Sequence, residues 1–122
     1  MSLKVLVVDD ASFVRMISCQ MLIRLGHTDI LEAKNGFEAI ESYKANMPAL
    51  TLLDITMPEL DGLSVLKEII AFDPSAKVIM CSAVAQGQVV REALDLGASD
   101  FLAKPFRLDE LEKIIANYLG PN

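Results

Sequence analysis

The chain has 122 residues, 52% of them apolar and 23% charged, with a formal net charge of −6. That length fits one domain over residues 1–122, and the apolar share can build a buried core, which excludes a disordered or low-complexity chain. With 11 Lys+Arg against 17 Asp+Glu there is no material for a basic face, so direct nucleic-acid binding is not expected.

The amino terminus, Met1-Ser2-Leu3-Lys4, runs into a short apolar stretch without a signal-peptide cleavage pattern, and no run approaches the roughly 18 apolar residues of a membrane span. A cytoplasmic location without membrane insertion is the expectation. Cys19 and Cys81 lie in apolar segments without metal-ligand spacing, which predicts two buried free thiols. His27 is the single histidine, too little for a triad or a multi-histidine metal site.

Short β-branched runs alternate with segments of helical period. A first strand is predicted over Lys4–Val8. The first helix opens at Ser12-Phe13, carries Val14, Ile17, Met21 and Leu25 at helical spacing, and is placed to end at Gly26. A second strand over Asp29–Ala33 leads to a helix marked by Phe37, Ile40 and Tyr43. A third strand over Leu50–Asp54 leads to a helix marked by Leu63, Leu66, Ile69 and Ile70. The fourth strand, Lys77–Ser82, precedes a helix with Val89, Val90, Ala93 and Leu94, closed by Gly97. The fifth, Asp100–Ala103, precedes one with Leu108, Leu111, Ile115, Tyr118 and Leu119. Met16, Met21, Met47 and Met80 read as core or near-core gap fillers, and Gly120-Pro121-Asn122 as a terminal linker.

The runs VLVV, LTLL and VIM are apolar at successive positions, as strands covered on both faces are, which favours a parallel sheet between helical layers. Five βα units therefore predict an α/β fold: a doubly wound (βα)5 domain around a five-stranded parallel sheet with right-handed crossovers. Such sheets bind ligands beyond the carboxyl ends of their strands.

At those ends stand Asp9-Asp10, Asp54, Ser82 and Lys104-Pro105. Each is ordinary alone: an acidic pair before a helix often serves as an N-cap, and a loop lysine is usually solvated. Asp54 differs, because it interrupts the apolar stretch Leu50–Ile55, where burying a carboxylate is costly and no cation is near in sequence. Together they put three carboxylates, a hydroxyl and an ammonium on one sheet edge. Two unit charges about 5 Å apart repel by roughly 3 kcal/mol at an effective dielectric of 20. Lys104 supplies one counter-charge, and the oxygen donors suit a hard divalent cation such as Mg²⁺. A metal, a buried carboxylate and a lysine suit phosphoryl transfer through an aspartyl-phosphate.

VLVVDDA (5–11), LLDITMPELDG (52–62), VIMCSA (78–83) and FLAKPF (101–106), in order and spacing, resemble the receiver domains of two-component response regulators, especially single-domain, CheY-like ones. The resemblance implies a flavodoxin-like strand order 2-1-3-4-5. It implies Asp54 as phosphoacceptor, and Asp10, Asp54 and the backbone carbonyl of Thr56 as Mg²⁺ ligands, with Asp9 acting through a metal-bound water and Mn²⁺ able to substitute. Lys104 would pair with the phosphoryl group, and the bond before Pro105 would be cis. Ser82 would bond a phosphoryl oxygen and Phe101 would be the switch aromatic. The face of fourth helix, fifth strand and fifth helix would then change for a partner, with Gly87 making the preceding loop pliable.

The implied protein is a monomeric, phosphorylation-controlled switch that takes its phosphoryl group from a histidine kinase or small phosphodonor. It is not an enzyme beyond catalysing its own phosphorylation and dephosphorylation. Its output partner is open, with a chemotaxis-type flagellar motor switch as one candidate. Thr56 and Val84 flank the route of an attacking water, so their bulk is expected to set the phosphoryl lifetime. Phe101 lacks the hydroxyl of the tyrosine in many relatives, and Ser82 lacks the methyl of threonine. Alternatives are a phosphorelay intermediate serving a histidine phosphotransfer domain, or the receiver part of a longer regulator. A flavin electron carrier would need a phosphate loop where Asp9-Asp10-Ala11 stands, and an aspartyl-phosphate phosphatase commonly spaces its two aspartates by one residue.

Overall fold

The computed structural model describes residues 3–83 and 87–120. Along the chain run β1 (Val5–Val8), α1 (Ser12–Arg24), β2 (Ile30–Ala33), α2 (Gly36–Asn46), β3 (Leu50–Asp54), α3 (Gly62–Phe72), β4 (Val78–Ser82), α4 (Gly87–Asp95), β5 (Asp100–Ala103) and α5 (Leu108–Leu119). The strands form one sheet in the order β2-β1-β3-β4-β5, every neighbouring pair parallel. The fold is the flavodoxin-like (βα)5 arrangement expected from the sequence.

Alternation along the strands divides the core in two. Leu6, Val8, Leu53, Val78 and Met80 face one layer, where they meet Ala39 and Tyr43 of α2, Val65, Leu66 and Ile69 of α3, and Ala93 of α4. Val5, Val7, Leu50, Leu52, Ile79, Cys81 and Leu102 face the other, against Leu22 of α1 and Leu111, Ile114 and Ile115 of α5. Burial on both faces is the reason these runs are continuously apolar. Each buried Val, Leu, Ile or Met among them contributes roughly 1.5–3 kcal/mol on leaving water.

Caps fix where the helices begin. Asn35 accepts the Glu38 amide at 2.8 Å before α2, and Asp61 accepts the Ser64 amide at 2.9 Å before α3. Gly62 is needed for space: a Cβ there would lie 2.3 Å from the Asp54 carbonyl oxygen and 2.6 Å from Ile55 Cα. That close approach seats α3 directly on the end of β3. Gly26 and Gly97 follow α1 and α4 with φ of 92° and 111°, ending both helices as the sequence predicts.

Several expectations are corrected. Three strands begin one residue late, at Val5, Ile30 and Val78. Lys4, Asp29 and Lys77 each lend a carbonyl to one neighbouring amide, of Ala49, Val5 and Thr51, without joining the ladder. Met80 is buried and Met21 packs on the second layer, but Met16 and Met47 are exposed. Met47 closes α2 in the left-handed region, which turns it off the helix's packing face. Cys81 is buried, whereas Cys19 is only half-buried. Phe37 and Leu94 also face solvent, while Tyr43 and Ala93 of the same expected stripes are buried and Ala39 joins them in the core. Among the described residues no helix is long and apolar enough to cross a membrane.

Candidate functional site

β1 leaves the sheet with β2 on one side and β3 on the other, so the chain's direction of winding reverses between β1 and β3. Loops diverge at such a point and leave a crevice at the carboxyl edge. Asp9 follows β1 and Asp54 ends β3, both buried, with exposed Asp10 beside them. One carboxylate oxygen from each of the three lies within 4.8 Å of the others.

The pair after β1 is not an N-cap for α1. Ala11 holds that position without a side-chain cap, and Asp9 turns back to accept the Ala11 amide through Oδ1 at 2.9 Å. The Asp9 amide donates to the Ala33 carbonyl, continuing the β1–β2 edge into the site. Asp54 accepts the Thr56 amide at 3.2 Å. Thr56 itself is exposed.

Lys104 enters from beyond β5. Its amide donates to the Ser82 carbonyl at 2.8 Å, and the Lys104–Pro105 peptide is cis, as the resemblance implies. The ammonium donates to Asp9 Oδ2 and stands 3.3 Å from Asp54 Oδ1. This supplies the partner that Asp54 lacked in sequence. The direct Asp9–Lys104 pairing is a contact sequence reasoning did not foresee.

Ser82 ends β4, buried, in register with Ala103. Phe101 lies beside Met80, half-buried and packed on the first layer. Ser82 and Phe101 therefore share a face of the sheet, with Ser82 one row nearer the acidic edge. Gly87 opens α4, where an added Cβ would meet nothing within 4 Å among the described residues. Val84 lies outside the described residues.

Burial pushes the Asp54 carboxyl above the usual carboxylate range; Lys104 pulls it back, and Asp9 adds to the rise. Burial also pulls the Lys104 ammonium down, but its bond to Asp9 and the charges of Asp54 and Asp9 outweigh that, leaving it raised. Two carboxylates within 4.8 Å of each other repel by at least about 3.5 kcal/mol at an effective dielectric of 20. One ammonium cannot neutralise three carboxylates, and the all-oxygen donor set fits a hard divalent cation.

Two neighbours were not placed at the site from sequence. Cys81 sits beside Asp54 in register, and burial pushes its thiol up to about 12. Arg15 donates from its guanidinium to the Asp9 carbonyl at 2.7 Å. A cation near the start of a helix opposes the helix dipole, and that mismatch was the available signal.

The family model for the response regulator receiver domain matches residues 5–116. Chemotaxis protein CheY of Bacillus subtilis is 45% identical over 120 residues, covering 98% of this chain and 100% of that protein. CheY of Thermotoga maritima is 47% identical over 107 residues, covering 88% and 89% respectively. A chain of the CheX–CheY–BeF3–Mg²⁺ complex from Borrelia burgdorferi matches with a TM-score of 0.92 at 34% identity, covering 96% of this chain and 89% of that one.

Proposed function

The chain belongs to the response regulator receiver family, and on that premise we propose that it is a phosphorylation-controlled switch whose phosphoacceptor is Asp54. The observation that carries this is a buried carboxylate at a strand end, 3.3 Å from a lysine ammonium and ringed by two further aspartates. A carboxylate oxygen of Asp54 attacks the phosphorus of the donor, forming an O–P bond. The P–N bond of a phosphohistidine, or the P–O bond of an acyl phosphate, breaks with its electron pair leaving on the donor. Lys104 neutralises phosphoryl oxygens as charge develops, and Ser82 donates a hydrogen bond to one of them. Asp9, Asp10, Asp54 and the Thr56 carbonyl would hold Mg²⁺, with Mn²⁺ as substitute, supplying the remaining positive charge. Water attack on the same phosphorus returns Asp54 and inorganic phosphate, so the chain catalyses only its own modification.

Phe101 and Ser82 share one face, which supports a readout in which Ser82 moves toward the phosphoryl group and Phe101 takes up the space left behind. The partners are a histidine kinase as donor and an output protein on the α4-β5-α5 face. Similarity to chemotaxis proteins favours a flagellar motor component. Intact mass after incubation with acetyl phosphate tests the reading. One Mg²⁺-dependent phosphoryl adduct, lost in Asp54→Asn, is expected. An adduct that survives in Asp54→Asn, or none in wild type with either acetyl phosphate or a phosphorylated kinase, overturns it.

A further inference from the structure

Arg15 is the fourth residue of α1, near the helix end where a positive charge is disfavoured. One guanidinium nitrogen donates to the Asp9 carbonyl at 2.7 Å, and Nε donates to the Glu32 carboxylate of β2 at 3.2 Å. The Arg15 side chain is only 16% exposed and its bond to the Asp9 carbonyl is shielded, whereas Glu32 is 53% exposed and braces the guanidinium from the solvent side. The Asp9 carbonyl belongs to the peptide that joins Asp9 to Asp10. Holding that oxygen fixes the peptide plane between two of the three clustered carboxylates, and the arginine fork suits such two-point anchoring.

We propose that Arg15 is a positioning residue for the acidic pocket: a strut braced on Glu32 that holds the Asp9–Asp10 peptide and thereby sets divalent-cation affinity. This rests on the reading of Asp9, Asp10 and Asp54 as a cation-holding set. The strut differs in sign from a simple charge effect. An extra positive charge near the pocket would repel a cation, so removing it should tighten binding, whereas removing a strut should weaken it.

Calorimetric titration of Mg²⁺ into wild type, Arg15→Gln and Arg15→Lys at fixed ionic strength separates the two, with metal-free thermal melts confirming that each variant folds. Arg15→Gln is expected to bind Mg²⁺ roughly tenfold more weakly, as loss of an outer partner of a ligating group does. Arg15→Lys keeps the charge, and so the fold if charge is what folding needs, but one ammonium cannot span carbonyl and carboxylate, so it is expected to bind more weakly too. In both, the Mg²⁺ concentration for half-maximal phosphorylation by acetyl phosphate should rise while the maximal rate at saturating Mg²⁺ stays unchanged. Unchanged or tighter Mg²⁺ binding in Arg15→Gln overturns the proposal, as does wild-type affinity in Arg15→Lys. A wild-type protein that binds no Mg²⁺ overturns the underlying reading of the pocket, and the strut with it.

Discussion

Asp54→Asn should make the metal-free protein more stable while depriving it of its response to Mg²⁺. At an effective dielectric of about 20, Lys104 at 3.3 Å attracts the Asp54 carboxylate by about 5 kcal/mol, and a carboxylate within 4.8 Å repels it by at least about 3.5 kcal/mol. Asp10, being exposed and screened, adds a smaller repulsion, so the charge interactions nearly offset and burial decides the sign. That agrees with the raised Asp54 pKa, whose largest cause is burial. Discounted for screening at the open edge of the site, neutralising Asp54 should stabilise the fold by about 1–2 kcal/mol at pH 7. Lys104 is not orphaned by the change, because Asp9 still accepts its hydrogen bond.

The pH dependence carries a definite sign. A carboxyl with a raised folded pKa holds its proton more tightly when folded, so wild type loses stability as pH rises from the ordinary carboxylate value through the raised one, then levels off. The advantage of Asp54→Asn should thus vanish in acid and be full at neutral pH. Mg²⁺ at a hundredfold excess over its Kd should stabilise wild type by about 2.7 kcal/mol and the variant far less, so the two stabilities cross as the metal is added. Urea unfolding followed by far-UV circular dichroism, with EDTA or Mg²⁺ at several pH values, measures all of this. A variant no more stable than wild type at pH 7 in EDTA, or an advantage that persists unchanged in acid, would refute the reasoning.

The same unfolding assay tests the seat of α3. Gly62→Ala should destabilise by about 1–3 kcal/mol, because its Cβ meets backbone atoms of Asp54 and Ile55 at 2.3 and 2.6 Å that cannot rotate away. Gly87→Ala, with nothing within 4 Å among the described residues, should be neutral or gain up to about 1 kcal/mol from helix propensity, and equal effects at the two sites would sink the packing argument. Burial pushes the Cys81 thiol up to about 12, so only a minute thiolate fraction exists at pH 8. Native protein should therefore react with a thiol reagent at Cys19 well before Cys81, and Cys81 should respond only on unfolding or as pH rises towards 12. Equal native rates for the two thiols would contradict the buried placement.

Asp54 was legible because it breaks an otherwise apolar strand, and a parallel order brings every strand's carboxyl end to one edge. The carboxylates, Ser82 and Lys104 were therefore visible once the strands were. Their mutual pairing was not: that Lys104 bonds Asp9 as well as approaching Asp54 depends on the path of the chain after β5, which no local pattern encodes. Arg15 was harder still, since its partner at the site is a backbone carbonyl and carbonyls carry no sequence signature.

The misplaced apolar residues share a cause on α1. Its sequence, SFVRMISCQMLIR, is apolar nearly all round, so a 3.6-residue period cannot choose which stripe meets the sheet. Leu22 is buried, whereas Phe13 is 66% exposed and Met16, Ile17 and Ile23 also face outward. Beside them Val14, Ile17, Met21, Pro105 and Phe106 line an apolar groove of about 320 Å³ that reaches Lys104. In α3 a single apolar stripe leaves one way to pack: Leu66 and Ile69 are buried as expected, Leu63 and Ile70 are partly buried beside them, and Val65 joins the core as well. The difference between the two helices is therefore one of information. A helix with a polar face declares its inner side, and one without it is oriented only by the surface it finally meets.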